Sequence, residues 1–319
     1  MQKRYLDWLF FFTRKILIFI FSLFLVITAT FFLMHAIPGD PFTQDKALPE
    51  EILKAMQAHF GLDKPLFFQY IEYLKGLCHF DLGPSLKYQD RQVSEIILEG
   101  FPVSLCLGLE ALFISIFFGL TLGSLSSFKE GKWQDKALLF ISTLGISIPS
   151  FLLATFFQYL FAMKLNLFPV ARWGTFMQSV LPALSLAALP TSFIARLSRA
   201  NMIEVLYQDY ILTARAKGLS SLRILTHHVL KNAFLPIAAY LGPLTASILT
   251  GGFAVEKIFG IPGLGQWFVL SIMNRDYTVI MGTTIFYSAI LMSCIFIVDL
   301  FSAFLDPRIS TKKQPNIFL

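Results

Sequence analysis

Apolar residues in this chain gather in blocks of twenty or more, and polar residues collect in the stretches between them. The blocks fall at 16–37, 101–128, 137–163, 176–195, 234–255 and 277–298. The first holds no charged residue and stops at Pro38-Gly39-Asp40-Pro41; the third is also uncharged and is interrupted by Pro149. Each block reaches the roughly 20 apolar residues that cross a hydrocarbon core as a helix. Inside lipid only a helix satisfies the backbone polar groups within one such segment. The pattern therefore predicts an all-α membrane protein with six transmembrane helices.

Lysine and arginine orient the spans. Sixteen of the 26 lie before residue 16, in 129–136, in 196–233 and after 305. The two short loops on the other side hold four, Lys164, Arg172, Lys257 and Arg275, and the remaining six lie in the long segment 38–100. Long loops cross largely regardless of charge, so sixteen against four is the informative contrast. It predicts cytoplasmic N- and C-termini. The basic N-terminus imitates a signal peptide, but the first block exceeds the roughly 7–15 residues of such an apolar region. No convincing small-x-small cleavage site follows it, so it reads as a retained span.

This organisation divides the chain into 1–37 (N-terminal segment and first span), 38–100 (an extracytoplasmic loop), 101–308 (a five-helix core) and a tail, 309–319. The loop 38–100 predicts two helices, about 50–60 ended by Gly61 and about 65–77 started by Pro65. Ile52, Leu53, Met56 and Phe60 suit a small helical cap on the membrane. The core carries a cytoplasmic loop, 196–233.

Composition supports lipid as the solvent. Of 319 residues 55% are hydrophobic and 14% charged, against about a quarter charged in soluble domains. The net charge of +6 is explained by topology, so no nucleic-acid partner is implied. Cys78, Cys106 and Cys294 form no CxxC pair and read as buried bystander thiols. No GxxxxGK[ST] loop occurs, since Gly131-Lys132 is followed by Trp133, and no HExxH is present. His227 and His228 are adjacent and diverge on a helix, so they cannot clamp one metal. A membrane enzyme working from the 38–100 loop would have Asp63, Glu72, His79 and Asp81, which form no known spacing. Glu110 is the one clear charge within a span, which makes it either functional or a group that reaches interfacial or pore water. Asp299 lies near the inner end of the last span, where it can be hydrated. Prolines and glycines punctuate the fourth and fifth spans, fitting bent pore-lining helices or ordinary close packing, as does Gly119-x-x-x-Gly123.

The most informative stretch is Tyr210-Ile-Leu-Thr-Ala-Arg-Ala-Lys-Gly-Leu219, continuing to Arg223, His228 and Lys231-Asn232-Ala233. Thr213, Ala214 and Ala216 offer a small-residue face for close packing. Arg215 and Lys217 can meet acidic or polar groups, and Gly218 can end the helix in the left-handed conformation. The pattern fits a knob for a cytosolic partner, and equally a basic helix lying on the membrane.

Here the sequence resembles the permease subunits of ABC-type oligopeptide, dipeptide and nickel importers. Thr213-Ala-Arg-Ala-Lys-Gly218, with His228 ten residues beyond the glycine, is similar to their loop that docks into the ATPase subunit. Leu212 stands where the general loop pattern has Glu, and Lys231 where it has Pro; both are usual in peptide-type members. The resemblance extends through Pro38–Pro41, Phe60-Gly-Leu-Asp-Lys-Pro65, Asp81-Leu-Gly83, Ile148-Pro-Ser-Phe151, Arg196, Arg199 and Met202–Leu206. It continues at Glu256, Pro262-Gly-Leu-Gly265, Asn274-Arg-Asp-Tyr277 and Asp306-Pro307-Arg308. Phe101-Pro-Val-Ser104 and Met202–Leu206 look most like oligopeptide permeases. The resemblance implies a type I ABC importer permease in the bacterial inner membrane, itself neither an enzyme nor a cofactor protein, with ATP bound by partner subunits. The implied partners are a second homologous permease, two ATP-binding subunits and an extracytoplasmic peptide-binding protein. It implies a coupling loop around Tyr210, Thr213, Ala214, Arg215, Ala216, Lys217, Gly218, His228 and Asn232. Permeases for dipeptides, nickel, glutathione or antimicrobial peptides are the alternatives.

Overall fold

A computed structural model describes residues 2–37, 42, 50–88 and 90–305. Pro38–Pro41 and Asp306–Arg308 lie outside them. Thirteen α-helices account for most of the described residues: α1 (Gln2–Ala36), α2 (Glu50–His59), α3 (Leu66–Cys78), α4 (Val93–Ser127), α5 (Trp133–Ser147), α6 (Ser150–Phe157), α7 (Phe176–Leu206), α8 (Asp209–Ala216), α9 (Ser221–Ile224), α10 (Leu230–Gly251), α11 (Phe253–Phe259), α12 (Leu264–Asn274) and α13 (Tyr277–Leu305). Among the described residues the only β pairing is an isolated bridge between Pro84 and Gln92. Five helices among the described residues are long and apolar enough to cross a membrane, at Phe12–Ala36, Val93–Ser127, Phe176–Leu206, Asn232–Leu249 and Tyr277–Leu300.

The expected third span is not one helix. Trp133–Ser147 and Ser150–Lys164 meet at 101°, and the pair becomes a sixth span only if both halves together cross the membrane. The break has a local cause. Proline disfavours helical backbone at the residue before it, and Ile148 is extended (φ −92°, ψ 120°). By contrast α7 runs through Pro182 and Pro190, both buried, and α10 runs through Pro236 and Pro243.

The chain forms two compact units whose limits fall within α1, α4 and α13 and between α11 and α12. One comprises 105–261 with the flanking stretches 1–16 and 291–319. Its core joins Ala111 of α4, Ala187 and Ile194 of α7, and Ile237, Leu244 and Ile248 of α10. Glycines set the separation of α4 and α7: a Cβ on Gly119 would lie 2.7 Å from Ile194, and one on Gly123 2.6 Å from the Ala195 carbonyl oxygen. Gly119-x-x-x-Gly123 is therefore a close-packing motif, as in other membrane helix pairs. Asp299, expected to be hydrated, pairs with Lys15 at 2.5 Å, both side chains about a third exposed.

The other unit comprises 17–104 and 262–290, with Val93, Ile96, Leu264 and Val279 at its centre. Gly61 ends α2 as expected: its φ is +67°, its N–H donates to Ala58, and Leu62 N–H donates to Gln57. Both are the bonds of a glycine-terminated helix end. Asn274-Arg-Asp-Tyr277 acquires a structural role. Arg275 adopts the left-handed conformation, and Asp276, fully buried, caps α13 by accepting from Val279 N at 3.3 Å. Its carboxylate also accepts from Ser85 Oγ, Leu86 N and Thr278 Oγ1. Several donors around one carboxylate compensate its removal from water.

Candidate functional site

The segment from the end of α7 to the start of α10 builds a projecting helix held firmly from beneath. After α7, Tyr207 and Gln208 turn the chain into α8. A four-residue α9 and a π-helical turn, Leu225–Val229, then lead into α10. Ile211 and Ala214, one turn apart on α8, are buried against Met202 and Leu206 of α7, Ile224, Val229 and Ala233.

The end of α8 forms as the glycine predicts. Gly218 has φ +78°, its N–H donates to the Arg215 carbonyl at 2.9 Å, and Leu219 N–H donates to the Ala214 carbonyl at 3.3 Å. This pair of bonds defines a Schellman end with glycine in the left-handed position. Leu219 also packs on the small core beneath α8, supplying the hydrophobic contact that accompanies such ends.

The expected residues are mostly brought together, on two opposite sides of α8. Tyr210, Thr213, Arg215, Ala216, Lys217 and Gly218 are exposed, as is Leu212 at 53%. Tyr210 is fixed by Asn232, whose Nδ2 donates to the phenol at 2.9 Å and to the His228 carbonyl at 3.0 Å. His228 itself is half-buried. The expectation of one small-residue face over Thr213, Ala214 and Ala216 is corrected: Ala214 points inward, because it lies one helical turn from the buried Ile211, while Thr213 and Ala216 are exposed. Ala214→Glu is accordingly expected to force a charge into the core under α8 and expose the 207–230 segment to protease. Ala216→Glu, on the open side, should leave the proteolysis pattern of the folded protein unchanged.

Sequence reasoning missed the group that anchors this segment. Arg199 of α7 makes two bonds to Asp135 of α5, Nε to Oδ1 at 2.5 Å and Nη2 to Oδ2 at 2.7 Å. Asp135 also accepts from Ser126 Oγ at 2.5 Å and from Gly131 N at 2.9 Å. Its side chain is 3% exposed. Nearby, Tyr207 donates to Glu130 at 3.0 Å, and that carboxylate pushes the Tyr207 phenol pKa up. The 128–132 turn is thus tied to α7 just before the projecting helix begins. A signal existed: Arg199 required a counter-charge, and Glu130 and Asp135 are the only carboxylates in 129–136.

Other candidates stand apart. Glu110 is half-buried and accepts from the Cys106 thiol at 3.9 Å. The cysteines are not the buried thiols expected: Cys78 and Cys106 are exposed and Cys294 is intermediate.

Comparison with known proteins places the chain among transport components. The family described as "Binding-protein-dependent transport system inner membrane component" matches residues 115–311, and its N-terminal companion family matches 8–108. The chain is 48% identical over 293 residues to the dipeptide transport system permease protein DppB of Bacillus subtilis, covering 92% of this chain and 95% of that one. It is 39% identical over 301 residues to the oligopeptide transport system permease protein OppB of Escherichia coli K12, covering 94% and 98%. Among solved structures, the MetNI methionine ABC transporter in inward-facing conformations matches with TM-score 0.52 at 17% identity, over 68% of this chain and 96% of that one. At that identity the likeness concerns the fold alone, which is that of type I ABC importer permeases.

Proposed function

The chain belongs to the family of binding-protein-dependent transport system inner membrane components, and from that premise we propose that it is a permease subunit of an ATP-driven peptide importer. In this reading it conducts peptide across the inner membrane together with a sister permease. An extracytoplasmic binding protein delivers the peptide, and two ATP-binding subunits sit on the side of α8, which is cytoplasmic. The ATP belongs to those subunits.

The observation that carries the proposal is the construction of α8. Its open side presents Tyr210, Leu212, Thr213, Arg215 and Lys217, while Ile211 and Ala214 lock its other side to the end of α7. A force applied to α8 reaches α7 through the side chains packed beneath it, and passes from α7 to α5 through the Arg199–Asp135 pair, rather than dissipating in a loose loop. ATP drives the cycle only if it binds one arrangement of the transporter better than the other. The docking partner of a membrane-lying helix would be lipid, and a basic helix of that kind needs a continuous apolar face. On α8 Ile211 and Ala214 are turned into the protein, and the large exposed apolar side chains are Leu212 and Tyr210, the latter held by Asn232.

Peptide is favoured over nickel because the relatives compared above are named for peptides. Their names divide between dipeptide and oligopeptide, while Phe101–Ser104 and Met202–Leu206 resemble the oligopeptide type. Deletion of the gene in an amino-acid auxotroph is expected to abolish growth on tri- to pentapeptides carrying the required residue, with growth on the free amino acid intact. Loss confined to dipeptides would assign the shorter substrate, and unchanged growth on every peptide would remove peptide import altogether.

A further inference from the structure

We infer that α3 is an interfacial helix, lying flat in the leaflet on its side of the membrane with one stripe of side chains in the lipid. In the orientation proposed above this is the outer leaflet. The partner is the bilayer itself, and the inference does not depend on what the protein transports.

Three observations converge. First, the spacing of Phe67, Ile71, Leu74 and Cys78 is i, i+4, i+7, i+11, which puts all four on one stripe of a helix. Phe67 is 67% exposed, Cys78 is exposed, and Ile71 and Leu74 are partly covered. Second, the ion pair sits off that stripe: Glu72 pairs with Lys64 at 2.7 Å, while Lys75, exposed at the edge of the stripe, can lay its stem along lipid and keep its ammonium in water. Third, α3 is fastened to the membrane-crossing α1, which sets its depth. Tyr70 Oη and Thr28 Oγ1 share a 2.7 Å hydrogen bond, and His35 Nε2 lies 3.1 Å from Gln69 Oε1. Tyr73 stacks on Phe31 at 5.7 Å between ring centroids.

The depth follows from helix geometry. Thr28 lies eight residues before Ala36, the end of the span, or about 12 Å at the α-helical rise. A helix bonded to α1 between Thr28 and His35 therefore straddles the boundary between headgroups and hydrocarbon. Interfacial helices bury their apolar face to about 5–10 Å at that same boundary. A water-exposed position would leave Phe67 and its stripe hydrated against a lipid-exposed span, whereas the leaflet covers them at no cost in buried polar groups.

Nitroxide accessibility tests this in the full chain, reconstituted in phosphatidylethanolamine–phosphatidylglycerol vesicles. A label on native Cys78, with Cys106→Ser and Cys294→Ser, leaves α3 unaltered. Labels introduced by Phe67→Cys, Glu72→Cys and Lys75→Cys, with Cys78→Ser added, sample the rest of the helix. The logarithm of the ratio of oxygen to nickel-chelate collision rates is expected to be positive at 67 and 78, negative at 72, and intermediate at 75, on the edge of the stripe. Negative values at all four positions would mean that α3 stands in water and would overturn the inference. Low collision rates with both reagents at 67 and 78 would overturn it too, since protein rather than lipid would then cover the stripe.

Discussion

Gly218→Pro is expected to abolish substrate-stimulated ATP hydrolysis by the assembled transporter while the chain still inserts in the membrane. Proline fixes φ near −65° and carries no N–H. Gly218 needs φ +78° and donates to the Arg215 carbonyl, so the substitution breaks both the turn and its hydrogen bond. The chain between α8 and α9 must then take another path, and the exposed side of α8 loses its orientation. Gly218→Ala separates strain from disruption. A Cβ there would meet nothing within 4 Å, so the cost is the left-handed backbone alone, about 1–2 kcal/mol. The alanine variant is therefore expected to couple weakly and the proline variant not at all. Normal coupling by a correctly inserted proline variant would remove α8 from the relay.

Arg199→Ala is expected to be the most destabilising single change outside the lipid-facing surface. It strands the Asp135 carboxylate, 3% exposed, with only Ser126 and the Gly131 amide among its described partners. Leaving one partner of a buried ion pair unpaired costs about 3–5 kcal/mol. The fall should appear as a lower midpoint of thermal denaturation in detergent, together with protease cleavage in the 128–132 turn. Asp135→Ala combined with Arg199→Ala should recover much of the loss, because no uncompensated charge remains and groups in contact are non-additive. If the two losses simply add, the pair is not the anchor inferred above.

Much of the architecture was legible along the chain because its causes are local. Crossing length, the break at Ile148-Pro149, and the helix ends at Gly61 and Gly218 each follow from a few neighbouring residues. The broken third span shows the limit of that reading: Pro149 marked the interruption, but a 101° bend depends on how both halves pack. The candidate site was legible as a segment and partly as residues. Tyr210, Asn232 and His228 do meet, yet the inward turn of Ala214 was invisible, and Asp135 was legible only as one of two nearby carboxylates that could answer Arg199. Arg199 and Asp135 are 64 residues apart, and Asp276 and Ser85 are 191 apart. No periodicity links such partners.

What the sequence determined by itself is the solvent and the number of candidate crossings, because the hydrophobic cost of an apolar block depends on its length and composition rather than on its neighbours. It also determined where helices stop, since proline and glycine act through their own backbone. Tertiary structure alone decided which side of each helix is covered. It placed Ala214 inward and Cys106 outward, gave Arg199 its carboxylate, and tied α3 to the rim of α1. Those outcomes depend on which surfaces meet across long stretches of chain, and a linear pattern carries no record of that meeting.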